Sequence, residues 1–155
     1  MAWAAMLPAA AIATTRPSDS AFGLGYGFAL FVYAIGSYLC HQRPERSFHL
    51  LGVQLPVCAR CTGLYAGAAI VAVRSYAPRP YTRRTARTAL LVSALPTIAT
   101  LAYEWTTGDT PGNWTRAISG VPFGACVAWI VFAGLHASGK GTGASRRSGR
   151  LPPPS

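Results

Sequence analysis

Charge is scarce in this sequence, and negative charge most of all. Of 155 residues four are Asp or Glu, against fourteen Lys or Arg, and charged residues of both signs make up only 12%. A soluble domain carries about 25%; with 51% hydrophobic residues, the composition points to a membrane. Signatures of several enzyme classes are missing as well. There is no nucleophile elbow to set a serine against His41, and no P-loop or dinucleotide fingerprint. No basic residue precedes Arg16, so the N-terminal segment does not read as a secretory signal, which opens with a positive region. Four cysteines in so long and apolar a chain do not make a secreted disulfide scaffold. The net charge of +10 would suggest nucleic acid if Lys and Arg shared a surface with aromatics. Here they lie between and beyond apolar runs, so no nucleic acid is expected. The partner is the lipid bilayer, with anionic inner-leaflet lipids at the basic loop and tail.

The apolar runs predict an all-α, four-span transmembrane bundle of two helical hairpins. Residues 1–21 form an apolar, interfacial segment, too short to span and interrupted by Pro8. The transmembrane domain is residues 22–137, and residues 138–155 form a disordered basic tail rich in Gly, Ser, Arg and Pro. Within the domain the spans run from Phe22 to Leu39, from Pro56 to about Ala77, from Thr88 to Trp105 with a kink at Pro96, and from Ala117 to Leu135. Pro56 suits the first position of a helix, where its missing N–H costs nothing, and the stretch from His41 to Leu55 reads as a loop. Arg16, Arg74, Arg79, Arg83, Arg84, Arg87, Lys140, Arg146, Arg147 and Arg150 would lie inside, against Arg43, Arg46, Arg60 and Arg116 outside. Ten against four places both termini in the cytoplasm.

This topology puts the chemistry-bearing residues at the outer end. Cys40 and His41 close the first span, and Cys58 and Cys61 fall in the first turn of the second, three apart and on one face. Glu104 ends the third span and Arg116 opens the fourth. Gly63 and Gly67, like Gly120 and Gly124, have the small-xxx-small spacing that lets helices approach closely. An arginine stands just before each pair, Arg60 and Arg116, an internal echo that suggests two related hairpins.

The segment from Cys40 to Gly67, CHQRPERSFHLLGVQLPVCARCTGLYAG, closely resembles the signature of a family of small prokaryotic membrane proteins catalogued as domain of unknown function 2085. Glu104-Trp105, Asn113, Arg116, Gly120 and Gly124 extend the resemblance to about Leu135. It supports four spans and implies no activity.

Three readings of the cysteine cluster stand. In the preferred one, Cys40, His41, Cys58 and Cys61 hold a metal, zinc suiting such a thiolate and imidazole set, with Gln42, Arg46, Arg60, Glu104 and Arg116 as supporting polar groups. In the second, Cys58 at a helix N-terminus beside Arg60 is a reactive thiolate, as in a quinone-linked thiol–disulfide oxidoreductase. In the third, a disulfide pins the loop of a structural or lipid-binding protein, Arg60, Glu104 and Arg116 pair as a polar network that orients helices, and Gln42 and Arg46 face an anionic head group, with Arg43 beside them or in a solvated loop. Cys126 reads as a small buried hydrophobe, and His49 and His136 as loop and interface residues.

Overall fold

A computed structural model describes residues 2–15, 24–74 and 81–145 of the chain. Arg16, Arg79, Arg146, Arg147 and Arg150, half of the basic residues assigned to the inner side, lie outside them. The described chain is mostly helical: α1 (Ala2–Thr15), α2 (Leu24–Leu39), a 3-10 turn (Pro44–Arg46), strands β1 (Ser47–Leu50) and β2 (Val53–Cys58), α3 (Ala59–Val73), α4 (Arg83–Thr107) and α5 (Asn113–Ser145).

The stretch expected as a loop is a β-hairpin. Leu50 pairs with Val53 across a two-residue turn, and Leu51 and Gly52 both have positive φ, at 53° and 80°. That is the left-handed geometry which matches the twist of paired strands. Pro56 therefore sits in β2, not at the start of a helix. The pairing slips between Ser47 and His49, and a residue without an N–H is tolerated at such an irregularity. Helix α3 begins three residues later than expected, with Cys58 at its N-cap and Cys61 in its first turn.

The N-terminal segment is not set apart. Pro8 lies inside α1 without ending it, and Leu7, Ala10 and Ala11 are buried. Leu7 and Ala10 pack with Ala29 and Val32 of α2 and with Leu55 and Val57 of β2, and Trp3 meets Tyr65 of α3 edge to face, 6.4 Å between ring centroids. This small apolar cluster seats the hairpin against α1 and α2, so β2 delivers Cys58 to a fixed place.

On the other side, α3 and α5 touch backbone to backbone. A Cβ on Gly63 would lie 1.9 Å from the carbonyl oxygen of Ala117, one on Gly67 2.1 Å from that of Val121, and one on Gly124 1.9 Å from that of Leu64. The register rises together in both helices, so they run parallel, each glycine pair receiving the other helix. The arginine–glycine echo is thus a mutual contact. Helix α5 returns antiparallel to α4 after a short turn in which Gly108, at φ 75°, caps α4.

Helices α4 and α5 are long and apolar enough to cross a membrane; α2 and α3 are shorter in the described residues. The apolar window of α4 buries none of its residues inside the fold, and Leu91, Val92, Leu95 and Ile98 face outward with Ile118, Val131 and Leu135 of α5. Such a continuous exposed apolar surface fits lipid rather than water.

Candidate functional site

The C-terminal ends of α2 and α4 and the N-terminal ends of α3 and α5 meet at one end of the molecule, and two polar clusters sit there. Cys40 follows α2, Cys58 ends β2 and Cys61 lies in α3; their three Sγ atoms are all within 4.8 Å of one another. The thiols are free and each is half-buried. The Cys58 N–H donates to Cys40 Sγ at 3.2 Å, so the strand end is tied to the end of α2 through the sulfur itself.

Cys58 is the activated member. Its pKa falls from the ordinary 9.0 to about 5, chiefly because the Cys61 thiol donates to it, with further help from Cys40 and from the first-turn N–H groups of Cys61 and Arg60, and against the opposing effect of burial. The side chain is not in true capping alignment with α3, but the first-turn N–H groups face it closely enough to favour the anion. The guanidinium of Arg60, expected to stabilise this thiolate, points elsewhere.

It points to Glu104. Nη2 of Arg60 donates to Glu104 Oε1 at 2.8 Å and approaches the Thr100 hydroxyl at 3.4 Å. Arg116 Nη2 stands 2.9 Å from the same oxygen, within ion-pair distance but outside hydrogen-bond alignment, and Arg46 Nη1 is 3.8 Å from Oε2. Thus α3, α4, α5 and the turn before β1 each contribute one charge to a buried cluster. Thr97 and Ser119 support it: Thr97 Oγ1 donates to the Ser119 carbonyl at 2.8 Å, and Ser119 Oγ to that of Arg116, also at 2.8 Å. Nothing in the sequence marked Thr97, Thr100 or Ser119, whose role depends on which helix faces which.

Gln42 fastens the hairpin to α2. In a left-handed backbone conformation at φ 46°, its amide donates to the Tyr33 carbonyl at 2.9 Å and to that of Pro56 at 2.7 Å. Gln54 Nε2 returns a bond to the Gln42 carbonyl at 2.6 Å, and Tyr33 Oη donates to the Gln54 carbonyl. Asn113 ties α5 to the hairpin through the Ser47 carbonyl at 3.0 Å. His41 is exposed and stands outside the thiol group, yet it lines the same cavity, about 480 Å³, as Cys40, Cys58, Gln42, Arg43 and Arg46. His49 is exposed on β1, and His136 Nδ1 contacts the Phe132 carbonyl within α5. Cys126 is not among the three clustered thiols.

Residues 40–130 match the family described as "Predicted membrane protein (DUF2085)". The chain belongs to this family. Every member of both clusters falls inside the matched region. An uncharacterized protein of the archaeon Methanothermobacter thermautotrophicus is 36% identical over 92 residues, 59% of this chain and 82% of that relative. An uncharacterized protein of Methanocaldococcus jannaschii is 49% identical over 39 residues, a quarter of either chain. No solved structure matches the chain. Within the DUF2085 family, then, the thiol triad and the carboxylate–arginine cluster are the features from which a role can be read.

Proposed function

We propose that this chain is a multi-pass protein of the cell membrane whose extracytoplasmic end binds zinc through the thiolates of Cys40, Cys58 and Cys61. The observation that carries the reading is the convergence of three Sγ atoms within 4.8 Å from three separate elements. Sulfur atoms bound to one tetrahedral zinc, at about 2.3 Å each, are spaced a little closer than this, so binding needs only small side-chain movement. One thiol of the three already favours the thiolate, the form a metal requires. His41 lines one cavity with Cys40 and Cys58, so its imidazole or a water would complete the set.

Four spans, α2 to α5, and both termini in the cytoplasm fit this placement. Helix α3 is locked along the upper half of α5 by the glycine contacts, so it shares the depth of a helix long enough to span. Exposed Tyr103, Trp105 and Trp114 gather near the site, as aromatics do at a membrane interface. The exposed Arg83, Arg84 and Arg87 lie at the opposite end of α4, the side expected to face anionic inner-leaflet lipids.

Elemental analysis of protein purified without chelators, with a free-thiol count on the same sample, tests the reading. About one zinc per chain, lost in Cys58→Ser, is the expected result; unchanged metal in that variant would sink it. His41→Ala separates the two candidates for the fourth position, losing affinity if the imidazole ligates and retaining it if water does. A second reading rests on the thiolate of Cys58 beside Cys61: a thiol–disulfide oxidoreductase, for which the sample would hold no metal and lack two thiols.

A further inference from the structure

The arginine cluster carries more positive charge than its one carboxylate can answer. Arg46, Arg60 and Arg116 all pair with Glu104, so three cations less one anion leave a formal +2. Both carboxylate oxygens are taken, Oε1 by Arg60 and Arg116 and Oε2 by Arg46 at the longer 3.8 Å. The Nε atoms of all three arginines are buried without a hydrogen-bond partner, as is Nη2 of Arg116, a residue only 3% exposed. Among the described residues the other carboxylates are Glu45 and Asp109, both exposed and neither paired with the cluster. Taking a guanidinium out of water without compensation costs several kcal/mol. Arg116 is fully buried and Arg60 largely so, and the surplus they leave beside the more exposed Arg46 favours an anion from outside the chain.

The way in is visible. The Arg46 side chain is 37% exposed and belongs both to the cluster and to the wall of the 480 Å³ cavity, which it shares with Arg43, His41, Cys40 and Cys58; no carboxylate lines it, and Cys58 is the one group there that can be anionic. That volume suits a small ligand or a head group. We propose that this cavity receives an oxyanion of the phosphate class, gripped by the guanidinium groups of Arg46 and Arg43, with Arg60 and Arg116 behind Arg46 supplying the positive potential. A planar guanidinium matches phosphate oxygens in pairs, and a phosphate monoester carries about −1.5 to −2 at neutral pH, the charge the cluster lacks. The phosphate belongs either to a lipid head group, since the cavity opens at the interface end, or to a soluble ion. This goes beyond the zinc reading and does not depend on it, because without a metal the four arginines still outnumber Glu104 and an anionic Cys58 by two charges.

The test uses the full chain in phosphatidylcholine nanodiscs, chelator-treated in one series and zinc-loaded in another. Inorganic phosphate is titrated while thermal unfolding is followed, and parallel nanodiscs containing phosphatidic acid are examined by native mass spectrometry for retained lipid. Saturable stabilisation by free phosphate identifies a soluble ligand, and selective retention of phosphatidic acid identifies a head group; either supports the site. Arg46→Gln should weaken binding by about tenfold or more, as expected for a lost charge-assisted hydrogen bond, and Arg43→Gln by less. In anion-free buffer Arg46→Gln should leave stability unchanged or raise it, because it relieves surplus charge, and Arg46→Lys guards against a folding failure by keeping charge while losing the fork. Absence of binding in both arms, or Arg46→Gln binding as tightly as the parent, would overturn the proposal, as would a destabilised Arg46→Gln protein that phosphate leaves unaffected. Binding that persists in the chelator-treated series stands even if no zinc is found.

Discussion

Arg60 and Cys61 are neighbours in sequence and serve different clusters. Cys61 turns towards Cys40 and Cys58, where α2, β2 and the start of α3 meet, and Arg60 turns towards Glu104 and Arg116, where α3, α4 and α5 meet. The thiol cluster is built from one continuous stretch, Cys40 to Cys61, closed by a hairpin. The arginine cluster joins residues 46, 60, 104 and 116 and depends on three helices keeping their register. The first is therefore a local device and the second a global one, so mutations should separate them.

The largest effect is expected at Glu104. Glu104→Gln leaves buried Arg116, largely buried Arg60 and half-buried Arg46 with no carboxylate, and breaking a buried pair costs about 3–5 kcal/mol. Thermal unfolding in detergent should fall accordingly while zinc stoichiometry holds, because no thiol is touched; loss of both together would show that the clusters are one unit. Next comes the α3–α5 seam. Gly124→Ala would set a Cβ 1.9 Å from the Leu64 carbonyl oxygen, and overpacking of this kind costs about 1–3 kcal/mol. It too should spare the metal, measured by elemental analysis on the purified variant.

A smaller effect sharpens the thiol side. With Cys58 lowered to about 5, iodoacetamide should alkylate it in metal-free protein at a rate that is flat above about pH 6 and falls as pH drops through 5. Cys61→Ala removes the main donor and should move that midpoint upward; an unmoved midpoint would assign the shift to the helix end alone. Cys58 is lowered from 9.0 to about 5 and its partner Cys61 is held well above 9.0 by the same hydrogen bond, so the pair's contribution is lost as pH falls through 5 and declines again as pH rises past 9. Least of all should happen at Cys126, where Cys126→Ser changes neither zinc content nor the alkylation profile, and costs about 1 kcal/mol or less.

Much of the site was legible because the residues that make it are rare in this chain. Three cysteines within twenty-two positions, and one of four acidic residues at the end of an apolar run, stand out against a background of Ala, Leu, Val and Gly. The glycine pairs were legible for a similar reason, since their spacing has one strong use between apolar helices. The hairpin was not. Its turn is Leu51-Gly52, without the Asn-Gly or Asp-Gly that announces a two-residue turn, and Pro56 reads equally well as a helix start. Nor was α1: an apolar segment with a proline inside looks interfacial until Val32 and Val57 are there to pack against it. Arg43 looked like a solvated loop residue, and only the folding of the hairpin onto α2 makes it part of a cavity wall.

The sequence alone determined that the chain lies in a membrane, that its polar chemistry gathers at one end, and that Cys58 and Cys61 belong with Cys40 or His41, because composition, run length and spacing are properties of the chain itself. The tertiary structure decided the rest: that Cys40 and not His41 stands with the cysteine pair, that Gln42 fastens the hairpin to α2, and that Arg46 joins Arg60 and Arg116 around one carboxylate. Those outcomes depend on the direction in which each side chain leaves its helix and on what stands opposite, and both are set by the close approach of α3 to α5 and of the hairpin to α2.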